Sequence, residues 1–277
     1  MSYSVGPGYF RVEKQYADLL KRVGLTDAQS VFEHPKIDVW RSITERENCV
    51  LDYDGGRLHI KRNKPGFNGV QTEVDGIKLL EGAGIASVPL VGYGMLHDGR
   101  GFLITDDLVG FEDSEKRVEV GLDFDRLLEP TAQLAARLHN AGLHHRDLYL
   151  CHFYAKAPTF TPGQRPGSEH DDALSEEAGA IPRREDGIEL RLMDAGRVRT
   201  LPRWFRQRWI VKDLAQFIYS IRALDPDVAT RWLAAYASAR GIAMSFRGAI
   251  DRKVAWIARH DEQLRRKQPT RNVAIDR

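Results

Sequence analysis

The hydrophobic pattern of the chain changes from short β-type runs in its first third to helical spacing in its second half. Within residues 37–61, the runs CVLDY and RLHIK are typical of strands, and the DGG at 54–56 between them is a hairpin signal. We therefore expect two or three antiparallel strands here. Two more strands are predicted over 91–96 and 101–105.

Apolar residues recur at helical spacing in the remaining segments. An amphipathic helix is predicted over 9–23 and another over 70–82, although Gly76 weakens the second. A later helix carries Pro130 near its start and ends at 140–142. Further helices are predicted over 210–224, 226–240 and 249–267.

The order of these elements predicts an α+β fold with two lobes. Residues 1–107 would form an N-terminal lobe of antiparallel sheet and one main helix, and residues 108–277 a mostly helical C-terminal lobe. The stretch 157–187 is rich in Pro, Gly, Ser and acidic residues without periodicity, so we interpret it as a mobile insertion outside the core.

Composition narrows the class of protein. Apolar residues make up 42% and charged residues 29% of the 277 residues, and 41 Lys+Arg against 39 Asp+Glu give a net charge of +2. These values exclude a wholly disordered or fibrous chain and argue against nucleic acid as the main partner. The absence of a long apolar run or a signal core, with only two cysteines, predicts a cytoplasmic location.

The tripeptide His145-Arg146-Asp147 is the strongest chemical signal. Protein kinases use HRD as a catalytic loop, in which the Asp accepts or orients the proton of the acceptor hydroxyl, and a residue five positions later holds a metal ion. Here that later position is His152. Asp147 is therefore the candidate catalytic residue. A surface carboxylate that caps a turn is the alternative.

The context of HRD supplies the other parts that phosphoryl transfer requires. A predicted strand ends on Lys61, the candidate for binding nucleotide phosphates, with Arg62 and Lys64 as alternatives. Glu73 on the following helix is its candidate partner, and Glu81 is the competitor.

A short predicted strand with Ile188, Leu190 and Leu192 leads into the MDAG sequence at 193–196. This segment is similar to the metal-binding D-x-G of kinases, which makes Asp194 a candidate metal ligand. The interval from Asp147 to Asp194 is longer than protein kinases usually have, and the predicted insertion accounts for the excess.

Three segments carry a family resemblance: LHNAGLHHRD at 138–147, HRDLYLCHF at 145–153 and RWIVKDLAQFIYS at 208–220. They resemble the lipopolysaccharide core heptose kinases of Gram-negative bacteria, the Kdo/WaaP-type family. The similarity runs from about Val39 to about Ser220.

The resemblance implies a protein-kinase-like fold that transfers the γ-phosphate of ATP, with Mg²⁺, to a sugar hydroxyl of the lipid-linked inner core. It implies these matching positions: Asp147 as the catalytic residue, Lys61 and Glu73 at the nucleotide, and Asp194 and His152 at the metal. It further implies that His145 and Asp213 support the catalytic loop.

Two features depart from the protein-kinase pattern. No glycine-rich loop precedes Lys61, so Arg41 or Arg46 would add donors to the phosphates, and we take Arg46 as a nucleotide-binding candidate. The metal-binding Asn of protein kinases is replaced by His152, a softer ligand than Mg²⁺ prefers, although this is the family's own pattern.

A basic and aromatic segment, PRWFRQRWIVK at 202–212, follows the D-x-G segment. Arg203, Arg206 and Arg208 in it are candidates for binding an anionic acceptor, and the segment and the basic run at 252–267 also suit an anionic membrane surface on the inner face of the inner membrane. A solvated basic face is the alternative in both places.

Other functions stay open. The acceptor could be a Kdo sugar, a small alcohol or a protein side chain, and a pseudokinase scaffold would keep the fold without turnover. A zinc site is the remaining alternative, although its residues match no usual ligand spacing: His144, His145, Cys151 and His152.

Overall fold

The computed structural model describes residues 8–156 and 187–267. An antiparallel sheet of six strands, in the order β1-β5-β6-β4-β3-β2, forms the N-terminal part. Its strands are β1 (Tyr9–Val12), β2 (Asp38–Ser42), β3 (Arg46–Tyr53), β4 (Gly56–Asn63), β5 (Leu90–Met95) and β6 (Gly101–Asp106). The strands expected within 37–61, 91–96 and 101–105 are confirmed.

The β3–β4 hairpin gives the sheet its register. Gly55 in the turn has a φ of 103°, which only glycine adopts without strain. Leu51, Leu58 and Ile60 are buried from this hairpin, under the short helices α1 (Ala17–Arg22) and α2 (Ser30–Glu33). Lys61, near the end of β4, points away from that cluster because side chains alternate along a strand.

The helix predicted over 9–23 is wrong in its first part. Tyr9–Val12 forms an edge strand against β5 instead. Gly94 permits the approach, since a Cβ at that position would lie 2.2 Å from the carbonyl oxygen of Tyr9. Pairing with a glycine-bearing strand outweighs the helical spacing, and the helical part is confined to a 3-10 turn at Lys14–Tyr16 and α1.

Helix α3 (Gly69–Gly82) packs between the sheet and the segment around Ala195 and confirms the helix predicted over 70–82. Gly76 lies at the contact, where an added Cβ would be 1.8 Å from the carbonyl oxygen of Ala195. The residue that weakened the helix prediction is therefore needed for this close packing.

The C-terminal part is mostly helical. Its helices are α4 (Ser114–Glu119), α5 (Asp125–Asn140), α6 (Arg206–Ser220), α7 (Pro226–Arg240) and α8 (Arg247–Lys267), with the short strands β7 (Glu112–Asp113), β8 (Leu143–His144), β9 (Phe153–Lys156), β10 (Glu189–Leu192) and β11 (Arg199–Thr200). Pro130 lies inside α5, which begins earlier than predicted. The stacked rings of Phe217, Trp232 and Tyr236 join α6 to α7 in the core.

The antiparallel sheet with one main helix, followed by a helical part, confirms the predicted fold class. Asp107 directly follows the last strand of the sheet, and the lobe boundary placed there stays a prediction. The predicted insertion at 157–187 lies outside the described residues except for Gly187. Within residues 8–156 and 187–267, no helix is both long and apolar enough to cross a membrane.

Candidate active site

Lys61 and Glu73 form an ion pair between the sheet and α3. The Nζ of Lys61 lies 2.5 Å from Oε1 of Glu73, whose side chain is 7% exposed against 29% for the lysine. The glutamate thus holds the ammonium group from its buried side and leaves the other side open. Of the alternatives, Arg62 instead pairs with Glu47 at 2.8 Å, and Glu81 lies exposed at the end of α3.

The catalytic loop is held by a buried carboxylate on α6. Asp213, which is fully buried, accepts the backbone N–H groups of His145 and Arg146 at 2.7 and 2.8 Å and a hydrogen bond from His139 Nε2 at 3.3 Å. Burial acts to raise the pKa of this carboxyl, but the hydrogen bonds from the His139 side chain and the His145 backbone outweigh it and lower the pKa. Asp213 therefore stays ionised beside the loop.

This bracing stabilises an unusual backbone. Arg146 has a φ of 73°, a left-handed conformation that costs energy for any residue with a side chain. The hydrogen bonds that Asp213 accepts compensate that cost. The turn directs the side chains of Arg146 and Asp147 in different directions.

His145 joins the catalytic loop to the segment that carries Asp194. Burial lowers the pKa of its imidazole, so the ring is neutral, and its Nε2–H donates to the carbonyl oxygen of Met193 at 2.8 Å. The next residue, Asp194, has a φ of 53°. The two left-handed residues, Arg146 and Asp194, thus each follow a residue of the hydrogen bond that joins His145 to Met193.

Asp147 lies at the centre of a small polar network. Arg197 Nη1 contacts its two carboxylate oxygens at 3.0 and 2.9 Å, and Gln216 Nε2 donates to Oδ1 at 3.4 Å. Gln216 also donates to the hydroxyl of Tyr149 at 3.2 Å. The carboxylate is 18% exposed, so a small acceptor group can reach it.

His152 and Asp194 face each other with two acceptor atoms. His152 Nδ1 lies 2.6 Å from the carbonyl oxygen of Asp147; since a carbonyl only accepts, Nδ1 carries the proton. Nε2 then faces Asp194 Oδ2 at 3.8 Å. Two acceptors in this arrangement need a proton or a cation between them.

The charge around Asp194 favours its ionised form. Burial acts to raise the pKa of this carboxyl, but electrostatic interactions with the His152 ring and the Lys61 ammonium outweigh it and lower the pKa. Arg46, at the start of β3, adds to the same effect. Arg46 and Lys61 therefore both direct positive charge towards the metal-ligand candidate, as expected where nucleotide phosphates would lie.

These donors fit Mg²⁺ only as a partial set. No group of three or more His, Cys, Asp or Glu in the part of the chain that the structure describes would hold a metal ion. Mg²⁺ in kinase sites usually takes one or two protein ligands and completes its shell with phosphates and water. Asp194 and His152 suit that mode, in which the nucleotide brings the remaining ligands.

The three candidate acceptor-binding arginines lie in different surroundings. Arg206 donates to the carbonyl oxygen of His139 at 3.1 Å, so it supports the end of α5. Arg203 is exposed on the turn before α6, and Arg208 is exposed on its first turn. These three arginines are neighbours in the sequence, but Arg203 lies on the turn and Arg206 and Arg208 lie on α6 with different contacts.

The structure adds two residues that the sequence reasoning missed, Arg197 and Gln216, and it gives Lys212, which belongs to the basic segment 202–212, a contact with the catalytic loop. Arg197 and Gln216 contact Asp147, and Lys212 Nζ donates to the carbonyl oxygen of Arg146 at 2.5 Å. In the sequence, Lys212 and Gln216 could have been found from their positions near Asp213 on one predicted helix. Arg197 had no such pattern, apart from lying three residues after Asp194.

Comparison with known proteins identifies the family of the chain. The family model described as the lipopolysaccharide kinase (Kdo/WaaP) family matches residues 53–236, which is more than half of the chain. The lipopolysaccharide core heptose(I) kinase WaaP of Pseudomonas aeruginosa is 28% identical over 168 residues, covering 57% of this chain and 53% of that protein. The chain thus matches about half the length of this curated relative.

A solved structure, described as WaaP in complex with acyl carrier protein, superposes with a TM-score of 0.62 at 24% identity, over 92% of this chain and 98% of that one. At this identity the likeness supports the fold alone. The match of the family model, together with the kinase-like fold, shows that the chain belongs to the Kdo/WaaP lipopolysaccharide kinase family.

Proposed function

We propose that the protein is an ATP- and Mg²⁺-dependent kinase that transfers the γ-phosphate to a sugar hydroxyl, that of a heptose, in the inner core of lipopolysaccharide. The observation that carries the proposal is the convergence of charge at one place. Lys61 pairs with Glu73 and still lies close enough to Asp194 to lower the pKa of that carboxyl. A nucleotide lysine and a metal carboxylate that face the same space suit a bound triphosphate.

The nucleotide would be held from its phosphates. Lys61 offers its open side to phosphate oxygens while Glu73 fixes its position, and Arg46 adds a guanidinium at the start of β3. These cations take over the role that backbone N–H groups of a glycine-rich loop have in protein kinases. The glycine-free turn before β3 is consistent with such side-chain binding.

Asp194 and His152 would hold Mg²⁺ together with the phosphates. When bound, the ion neutralises charge on the phosphates as the bridging bond breaks. His152 keeps its Nε2 towards this site because its Nδ1–H is engaged by the Asp147 carbonyl. The same hydrogen bond ties the metal ligand to the residue beside the acceptor.

Asp147 would take the proton of the acceptor hydroxyl. The acceptor oxygen bonds to the γ-phosphorus, the bond from that phosphorus to the β,γ-bridging oxygen breaks, and ADP leaves. Arg197 and Gln216 hold the carboxylate in place, and Asp213 holds the backbone beneath it. In this family such positioning and charge neutralisation would supply most of the rate.

The test is transfer of labelled γ-phosphate from ATP and Mg²⁺ to purified, dephosphorylated lipopolysaccharide. Asp147→Asn keeps the shape and one acceptor oxygen for Arg197 and Gln216 but removes the base, so we expect kcat to fall at least about 100-fold. Thermal stabilisation by Mg-ATP should be retained in the variant, since Asp147 does not bind the nucleotide. Normal turnover in Asp147→Asn would rule out the assigned base.

The same assay separates the alternatives. Stabilisation by Mg-ATP without transfer to lipopolysaccharide would support a kinase for another acceptor, such as a Kdo sugar, a small alcohol or a protein side chain. No response to Mg-ATP would support a pseudokinase scaffold.

We further propose peripheral binding to the anionic inner face of the inner membrane, where the lipid-linked acceptor would be met. Trp204 is 91% and Phe205 65% exposed on the turn before α6, next to Arg203. Aromatic and basic side chains together favour a membrane interface. Trp204→Ala/Phe205→Ala should reduce co-sedimentation with anionic vesicles, and unchanged co-sedimentation would count against this surface.

A further inference from the structure

A basic cleft of about 740 Å³ lies between the first turns of α6 and α8, beside the catalytic loop. We call it the α6–α8 cleft. Its cationic lining residues are Arg146, Arg208, Lys212, Arg252 and Lys253. Among the described residues that line it there is no carboxylate. The cleft is distinct from the group formed by Lys61, Asp147 and Asp194.

Two tryptophans form the apolar surfaces of the α6–α8 cleft. The guanidinium carbon of Arg146 lies 5.0 Å from the ring centre of Trp209, and Lys253 Nζ lies 3.6 Å from that of Trp256. Trp256 is 49% exposed although it is a large hydrophobic residue. Indole faces next to cations provide both an apolar surface and a polar rim for a ligand.

The cations of the cleft form no ion pair with a described carboxylate, although Lys212 interacts electrostatically with Asp147 and Asp213. Within residues 8–156 and 187–267, no carboxylate forms an ion pair with any of the five cations. Arg146 Nε is buried and has no hydrogen-bond acceptor among the residues that the structure describes. Burial lowers the pKa of Lys253, and the charge of Arg208 on the opposite helix lowers it further. An anion in the cleft would relieve the repulsion among these cations.

The orientation of the two helices adds to this field. Early residues of α6 and α8 line the cleft together, and further along Tyr219 donates to Asp261 Oδ2 at 2.5 Å. The helices therefore run side by side in the same direction, with both N-terminal ends at the cleft. Helix N-termini carry partial positive charge, which reinforces the side chains.

The cleft is connected to the reacting residue through Lys212 and Arg146. Lys212 Nζ donates to the carbonyl oxygen of Arg146, and Asp147 is the next residue. Burial lowers the pKa of Lys212, while the charge of Asp147 acts to raise it, so that the two groups interact. A molecule with a hydroxyl at Asp147 can thus extend an anionic group into the cleft.

From these observations we infer that the α6–α8 cleft binds an anionic sugar, one that carries a phosphate or a carboxylate, and serves as a docking subsite for the acceptor. Its volume lies in the range of small-molecule sites, roughly 300–1000 Å³, which favours a sugar over a protein surface. The guanidinium groups match the planar fork of an oxyanion. The docking role rests on the proposed function, whereas binding itself can be measured without turnover.

The experiment measures binding of glucose 6-phosphate, galacturonic acid and glucose to the full chain by saturation-transfer NMR. We expect both anionic sugars to bind more tightly than glucose. Arg252→Ala/Lys253→Ala should weaken the anionic sugars about tenfold or more, since charge-assisted hydrogen bonds are lost. The matched control, Arg259→Ala/Lys267→Ala, removes the same charge from exposed positions of α8 outside the cleft and should change nothing.

In the transfer assay, the same cleft variant should raise KM for dephosphorylated lipopolysaccharide while the affinity for Mg-ATP stays unchanged. Failure of transfer in the unmodified protein would overturn the proposed function and leave the binding result standing. Equal binding of glucose and glucose 6-phosphate would overturn the cleft assignment. Equal losses of sugar affinity in the cleft variant and its control would also overturn it. So would a cleft variant that no longer binds anionic vesicles but binds the anionic sugars with unchanged affinity.

Discussion

A single nitrogen of Arg197 bridges both carboxylate oxygens of Asp147. Nη1 lies 3.0 Å from Oδ1 and 2.9 Å from Oδ2, and the arginine side chain is 62% exposed against 18% for the aspartate. The contact joins the segment after Asp194 to the catalytic loop. Because it is exposed on the arginine side, it orients the carboxylate without sealing it from an acceptor.

We expect Arg197→Ala to lower kcat about 10- to 100-fold, because the carboxylate of Asp147 would lose its position relative to the acceptor hydroxyl. KM for ATP should stay unchanged, as should the thermal midpoint. Arg197→Lys keeps a cation that can reach the carboxylate and should recover part of the rate. Steady-state transfer assays measure all of these, and an unchanged kcat in Arg197→Ala would show that Arg197 does not position the base.

The ion pair of Lys61 and Glu73 gives a second prediction. Glu73→Gln should raise KM for ATP and lower kcat/KM about 10- to 100-fold, because Lys61 would no longer be fixed towards the phosphates. Glu81→Gln, a change of the same type at the exposed end of the same helix, is the matched control. Equal effects of the two substitutions would contradict the assignment of Glu73.

The close approach at Gly76 gives a third. Gly76→Ala would place a Cβ 1.8 Å from the carbonyl oxygen of Ala195, so the helix or the segment must shift. We expect a loss of about 1–3 kcal/mol in the free energy of unfolding despite the better helix propensity of alanine, and a loss of transfer activity. Gly82→Ala, at the open end of α3, should be neutral or stabilising by up to about 1 kcal/mol. Denaturant unfolding measures both, and equal stabilities would refute the packing argument.

The buried histidines predict a loss of stability in mild acid. Burial lowers the pKa of His144 from 6.5 to about 4. Between those values the unfolded chain binds a proton that the folded chain does not, so stability falls as the pH drops from 6.5 towards 4. Each such histidine contributes up to about 1.4 kcal/mol per pH unit. The lowered pKa of Asp213 acts in the same sense only below its ordinary value of 3.8.

His144→Phe tests this assignment, because the new ring keeps its place beside Trp209. The substitution also removes an Nδ1 that is buried without a partner among the described residues. The free energy of unfolding should depend less steeply on pH between 6.5 and 4.5 in the variant. Above pH 7 the two curves should run parallel, which provides the internal control. An unchanged slope below pH 6.5 would contradict the role of His144.

Local patterns in the chain were sufficient to predict most of the elements and the polar residues of the catalytic loop. The hairpin at 54–56 and the helix around Gly76 follow from turn chemistry and periodicity, which are properties of neighbouring residues. The prediction for 9–12 was wrong because the partner of that strand, around Gly94, is distant in sequence. Helical spacing over a few residues cannot account for such pairing.

In the site too, some contacts could be predicted from sequence patterns and others could not. The pairing of Lys61 with Glu73 followed from the order of kinase motifs, which fixes strand and helix relative to one another. Arg197 and Gln216 reach Asp147 through turns and helix rotation that no local pattern encodes. The α6–α8 cleft likewise needs two helices to meet, so the basic residues at 202–212 and 252–253 could be seen in the sequence but not assigned to one surface.

The brace formed by Asp213 has a consequence for regioselectivity. It fixes two adjacent peptide groups, so the backbone sets where the side chains of Arg146 and Asp147 leave the loop. Under the docking role proposed for the cleft, the brace would keep the span between a bound anionic group and the base nearly constant. The ring hydroxyl phosphorylated would then be the one whose distance from the anionic substituent matches that span.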